Sequence, residues 1–145
     1  MRALIQIAAQ DNFLVHQMDV KTAYLHAPIE EDIYLEQPEG FEQTSETGVK
    51  WVCKLKKSLY GLKQSGRNWY KLLNDHLEPN GFEKNQSDHC MYRKQIENDT
   101  IIVIIWVDDL IIAASSEDCL IRFKDTMKSQ FSMNDLGKIS YFLGI

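Results

Sequence analysis

The chain has 145 residues, 44% of them hydrophobic and 26% charged, with a net charge of −5. That length fits one domain able to bury roughly two thirds of its unfolded surface, and the composition excludes a disordered or fibrous chain. The longest unbroken apolar run, Ile101–Val107, is far short of the ~18 residues a membrane-spanning helix needs, and the three separated cysteines (Cys53, Cys90, Cys119) and four scattered histidines form neither a disulfide framework nor a zinc site.

Residues 2–10 have helical composition, stopped by Asp11-Asn12. Residues 13–20, FLVHQMDV, alternate roughly and carry β-branched residues, which predicts a strand with Asp19 near its end. KTAYLHAP is a turn or short helix closed by Pro28. Ile33–Leu35 and Trp51–Cys53 predict two short strands around an acidic loop. Trp69, Leu72, Leu73, His76 and Leu77 mark one face of a helix over 64–77, ended by Pro79-Asn80-Gly81. Residues 88–94 predict a strand and 97–99 a turn. Thr100–Trp106 and Leu110–Ala114 predict a hairpin with Asp108 and Asp109 at its tip. Ser116, Glu117 and Asp118 supply a helix cap and acidic first turn, with Leu120, Phe123, Met127 and Phe131 at helical spacing. The tail, 139–145, predicts a final apolar strand. The expected fold is α+β, an antiparallel sheet with helices on one face. The last residues are apolar and stop abruptly, as in an excerpt of a longer protein.

Charge is segregated. Glu30–Glu46 holds seven acidic residues and no basic one; Lys50–Lys71 holds seven basic residues and no acidic one, interleaved with Trp51, Tyr60, Trp69 and Tyr70. A basic block with aromatics suits a phosphate backbone and stacked bases; it equally suits a solvated lysine-rich surface.

The carboxylates are the sharper signal. Two like charges about 4 Å apart repel by about 4 kcal/mol at an effective dielectric near 20. Asp108 and Asp109 nevertheless sit side by side in the most apolar segment. An open turn would relieve them, and so would a divalent cation. If Asp19 ends a neighbouring strand, three carboxylates meet at one rim, an oxygen-only set suited to Mg²⁺. Two such ions can clamp the attacking and leaving oxygens of a phosphoryl transfer. A plain turn and a strand-end aspartate fit the same residues.

The whole chain resembles the reverse transcriptase region of copia-type retrotransposon Pol polyproteins. HQMDVKTAYLHA (16–27) is similar to that family's first catalytic motif, VCKLKKSLYGLKQSGRNWY (52–70) to its second, WVDDLIIA (106–113) to its aspartate pair, and FSMNDLGKISYFLGI (131–145) to the segment leading to the primer-contacting turn. The resemblance implies a partial right-hand polymerase palm over 1–145, with fingers, thumb and RNase H truncated or absent. It implies Asp19, Asp108 and Asp109 as catalytic and metal carboxylates, with Val20 lending its backbone to two Mg²⁺ (or Mn²⁺). It places Tyr24 beside the incoming sugar, where its ring would exclude a 2′-hydroxyl. Tyr60, Gly61 and Gln64 would lie near the nucleotide, and Lys63, Arg67 and Trp106 near the nucleic acid. Trp106 departs from the family's usual Tyr, Gly66 from Pro and Ala27 from Gly. Expected partners are a primed RNA or DNA template, dNTP and the remaining Pol segments, in a cytoplasmic particle without a membrane anchor. Alone, the chain is expected to be weakly active or inactive. The rival readings are a two-metal nuclease or integrase core and a non-catalytic nucleic-acid-binding remnant.

Overall fold

The most apolar part of the sequence occupies the middle of the main sheet. In the computed structural model, which describes residues 2–140, twelve elements follow in the order α1 (Arg2–Gln10), β1 (Leu14–Val20), α2 (Ala23–His26), β2 (Tyr34–Leu35), β3 (Cys53–Lys54), α3 (Ser65–Leu77), β4 (Glu83–Lys84), β5 (Met91–Ile96), β6 (Asp99–Trp106), β7 (Asp109–Ala114), α4 (Glu117–Gln130) and β8 (Met133–Lys138). Six strands form one antiparallel sheet in the order β4-β5-β6-β7-β1-β8, and β2 and β3 form a separate antiparallel pair. The early strand β1 is thus inserted between the two late strands β7 and β8.

Both faces of this sheet are covered, which corrects the expectation of helices on one face. Met18, Val20, Tyr92, Ile101, Val103, Leu110 and Ile112 pack with α3 and α4, through Trp69, Leu73, Leu77, Leu120, Phe123 and Met127. On the opposite face Ile102, Ile104, Ile111 and Ala113 pack with Leu4 and Ala8 of α1. An antiparallel sheet with one wet face alternates apolar and polar residues; Ile101–Ile105 does not alternate, because it is dry on both sides.

Other boundaries follow local chemistry. Ser116 caps α4, its hydroxyl accepting from the Cys119 N–H at 3.3 Å. The hairpin tip is Val107-Asp108, since Asp109 already pairs with Trp106 as the first residue of β7. The sixth strand is β8, ahead of the tail; the strand expected over 139–145 lies, from residue 141 on, outside the described residues. β8 carries Asn134, Asp135 and Gly137, residues with low strand propensity, and forms a largely exposed edge of the sheet. Among the described residues no helix is long and apolar enough to cross a membrane.

Lys124 of α4 ties β8 to β1. It is only 7% exposed, and its ammonium donates to Asp135 Oδ1 at 2.7 Å and to His16 Nδ1 at 2.8 Å. Burial alone would raise the Asp135 carboxyl, but the hydrogen bonds from Lys124, the Gly137 N–H and Lys128, and the Lys124 charge, hold it below its ordinary value. A lowered native pKa means stability that is present above the unfolded value of ~3.9 and lost as pH falls through the native one. His16, lowered by burial and then by Lys124, acts in the same sense just below neutrality. Urea denaturation is therefore expected to show Asp135→Asn less stable than wild type at pH 7, with the gap closing at pH 3.

Gly66 lies in the first turn of α3 with a helical backbone. A Cβ there would meet the Tyr24 hydroxyl at 3.6 Å, ordinary contact. Gly66→Ala is expected to raise stability by about 0.5–1 kcal/mol, read from the denaturation midpoint.

Candidate active site

Pairing register assembles the site. Trp106 faces Asp109, Asp109 faces Asp19, and Asp19 faces Asn134, a row crossing β6, β7, β1 and β8 at one end of the sheet. Directly opposed residues of antiparallel strands project to the same face. The row shares its face with Ile104 and Ile111, so it lies on the α1 side of the sheet. Trp106 is 58% exposed there.

Asp108 is carried by the tip between β6 and β7, a two-residue connection with φ of +55° at Val107. A β-branched residue in the left-handed region costs on the order of 1–3 kcal/mol and needs support. The Trp69 indole N–H donates to the Val107 carbonyl at 2.8 Å, and the Val20 N–H donates to the Asp108 carbonyl at 2.7 Å. Trp69 itself is 3% exposed, and packs edge-on against Phe131 with ring centres 5.2 Å apart. Behind the tip lies an apolar cavity of about 160 Å³ between Tyr24, Trp69, Tyr92 and Val107.

Each carboxylate has a neutral donor of its own. Asn134 Nδ2 donates to Asp19 at 3.3 Å, and Gln17 Nε2 to Asp109 at 3.4 Å. The Tyr60 hydroxyl stands 3.0 and 2.9 Å from the two oxygens of Asp108. Among the described residues none of the three aspartates forms an ion pair with Lys, Arg or His. Burial raises the Asp108 carboxyl, the Tyr60 hydrogen bond opposes that, and the charges of Asp19 and Asp109 raise it further. The net shift is upward. Tyr60 is pushed up to about 12 by burial and by its bond to Asp108.

Of the other anticipated residues, Tyr24 reaches this rim through Tyr60, and Val20 through its N–H bond to the Asp108 carbonyl. The Tyr24 ring lies on Tyr60, centroids 4.5 Å apart at 36°. Gly61, with φ of +95°, occupies a backbone position that other residues rarely adopt. Gln64 immediately precedes α3 without capping it by its side chain. Lys63 and Arg67 are exposed and form no ion pair among the described residues. Val20 is buried beside Asp19 at the end of β1. Sequence reasoning missed Gln17, Trp69 and Asn134 as supports. Trp69 was visible as a core residue of a helix and as one aromatic of the basic block, not as a support of the tip, and the amides carry no local signal.

Three carboxylates and adjacent backbone carbonyls make an oxygen-only donor set, the kind that fits a hard divalent cation. Among the described residues no three His, Cys, Asp or Glu side chains are already gathered as ligands; Asp108 is engaged by Tyr60 instead. The site is thus an acidic rim at one end of an antiparallel sheet covered by helices.

The comparisons with known proteins specify the class. The profile of the family described as reverse transcriptase (RNA-dependent DNA polymerase) matches residues 1–145, and the chain belongs to that family. It is 41% identical over 145 residues to the retrovirus-related Pol polyprotein from transposon TNT 1-94 of Nicotiana tabacum, covering 99% of this chain and 11% of that one. It is 33% identical over 144 residues to the Pol polyprotein from transposon RE1 of Arabidopsis thaliana, covering 99% and 10%. A transposon Ty5-1 protein of Saccharomyces cerevisiae is 37% identical over 128 residues, covering 88% and 41%. The resemblance to copia-type Pol polyproteins is thereby upheld, and the chain spans about a tenth of the two plant polyproteins.

Proposed function

We propose that residues 1–145 form the palm portion of a copia-type reverse transcriptase that adds nucleotides to a primer on an RNA or DNA template. The observation that carries this reading is the register placing Asp19 opposite Asp109, with Asp108 at the adjoining tip. The primer 3′-oxygen attacks the α-phosphorus of a dNTP, a P–O bond forms, the bond to the leaving pyrophosphate breaks, and the hydroxyl proton passes to water. Asp19, Asp108 and Asp109, with the Val20 carbonyl, would hold two Mg²⁺, or Mn²⁺. Bound there, such ions make the hydroxyl more acidic and offset charge on the pyrophosphate.

The chain's own residues orient the reactants. Tyr24, braced by Tyr60, presents a ring edge against a 2′-hydroxyl and so favours dNTP. Tyr60, Gly61 and Gln64 border the nucleotide. Lys63 and Arg67 contact phosphates. Trp106, on the same face as Asp109, meets the primer end with a larger ring than tyrosine and no hydroxyl. Fingers, thumb and RNase H belong to other segments of the polyprotein, and the working complex resides in a cytoplasmic particle.

The test is single-nucleotide extension of an RNA-templated primer by stoichiometric chain with Mg²⁺ and dNTP. Short, non-processive extension is expected, and asparagine at any of the three aspartates removes it. Extension that survives Asp108→Asn overturns the assignment.

A further inference from the structure

A carboxylate ligates a cation through its oxygen lone pairs. Both oxygens of Asp108 face one hydroxyl, that of Tyr60, at 2.9 and 3.0 Å. That near-symmetric approach engages the carboxylate lone pairs that a cation would need. The contact joins residues 48 positions apart, so it is a tertiary feature and not a consequence of the turn. It also differs from the side-chain bonds to Asp19 and Asp109 among the described residues, which are longer and touch one oxygen each.

We propose that Tyr60 is a positioning residue that latches Asp108: its hydroxyl holds the carboxylate away from the cation site in the free chain, and releases it when a divalent cation binds. The inference rests on the cation-binding role proposed above for Asp108. The latch is neutral, so it steadies one of three neighbouring like charges without a basic side chain that would repel the cation. Release does not require the ring to leave, because Tyr60 is braced on Tyr24 at 4.5 Å. The freed hydroxyl then faces the space assigned to the nucleotide. Cation binding and preparation of the nucleotide pocket become one event.

Mn²⁺ titration of the 145-residue chain, followed by electron paramagnetic resonance, tests this without catalysis. Tyr60→Phe keeps the ring and its packing and is expected to bind Mn²⁺ roughly tenfold more tightly, the net worth of a hydrogen bond to a charged group. Asp108→Asn is expected to weaken binding. Equal or weaker affinity in Tyr60→Phe, with binding still dependent on Asp108, overturns the latch and leaves the cation site standing. Binding indifferent to Asp108→Asn overturns the cation site and the latch with it. A second measurement uses wild-type chain with ¹³C-labelled tyrosine. The Tyr60 Cζ resonance is expected to shift on adding Mg²⁺, and a stationary resonance at saturating Mg²⁺ overturns the latch even if Tyr60→Phe fails to fold.

Discussion

Asparagine at Asp108 is expected to lower nucleotide addition about a thousandfold while making the chain more stable at neutral pH. The activity loss corresponds to about 4 kcal/mol of barrier, reasonable for one charged ligand at a centre where cations balance developing charge. The stability gain follows from the direction of the Asp108 shift. Its native pKa is raised by burial and by Asp19 and Asp109, against the Tyr60 bond. A raised native value means that folding favours the protonated acid. Its stabilising effect is therefore complete below the unfolded value of ~3.9 and lost as pH rises through the native one. Asparagine is neutral throughout and still accepts from Tyr60. The variant should match wild type at pH 3 and exceed it in stability at pH 7. Primer extension and urea denaturation at the two pH values check both halves. A variant less stable at pH 7 would contradict the electrostatic account.

The second large effect belongs to Trp69. Truncation to alanine is expected to cost about 3–5 kcal/mol, from lost burial and the void left behind. The cavity beside the indole, about 160 Å³, would merge with that void, so collapse would recover little. With total stability on the order of 5–15 kcal/mol, Trp69→Ala would forfeit much of it. Trp69→Phe separates the two roles. It keeps most of the ring contact with Phe131 but deprives the Val107 carbonyl of its donor at 2.8 Å. It should cost about 1–3 kcal/mol. It should also impair nucleotide addition more than an equally destabilising core substitution such as Leu77→Ala, because the support it removes belongs to the aspartate-bearing tip.

Element type was legible wherever one physical cause dominated. Helical periodicity marked α3, a serine cap and acidic turn marked α4, and β-branched runs marked β6 and β7. The aspartates were legible because charge in an apolar run needs compensation. What escaped had competing causes. β8 is polar and edge-placed, so tertiary pairing with β1 overrides its weak propensity. The second covered face was latent in the unbroken run Ile101–Ile105, but a buried strand and an amphipathic one differ only by that missing alternation. The contacts of Tyr60, Trp69 and Asn134 with the rim span 48, 38 and 115 positions, beyond any local pattern.

The insertion of β1 between β7 and β8 sets a timetable for the nascent chain. Asp19 leaves the ribosome some ninety residues ahead of its cross-strand partner, and no local hairpin can bring the two together. Pairings this distant pay loop-closure entropy before they return contacts, so they form slowly and late. Until β7 is made, the early strand has both edges unpaired. Synthesis that stops short of the second aspartate yields a sticky, unfinished sheet, and competence arrives only with the closing strands.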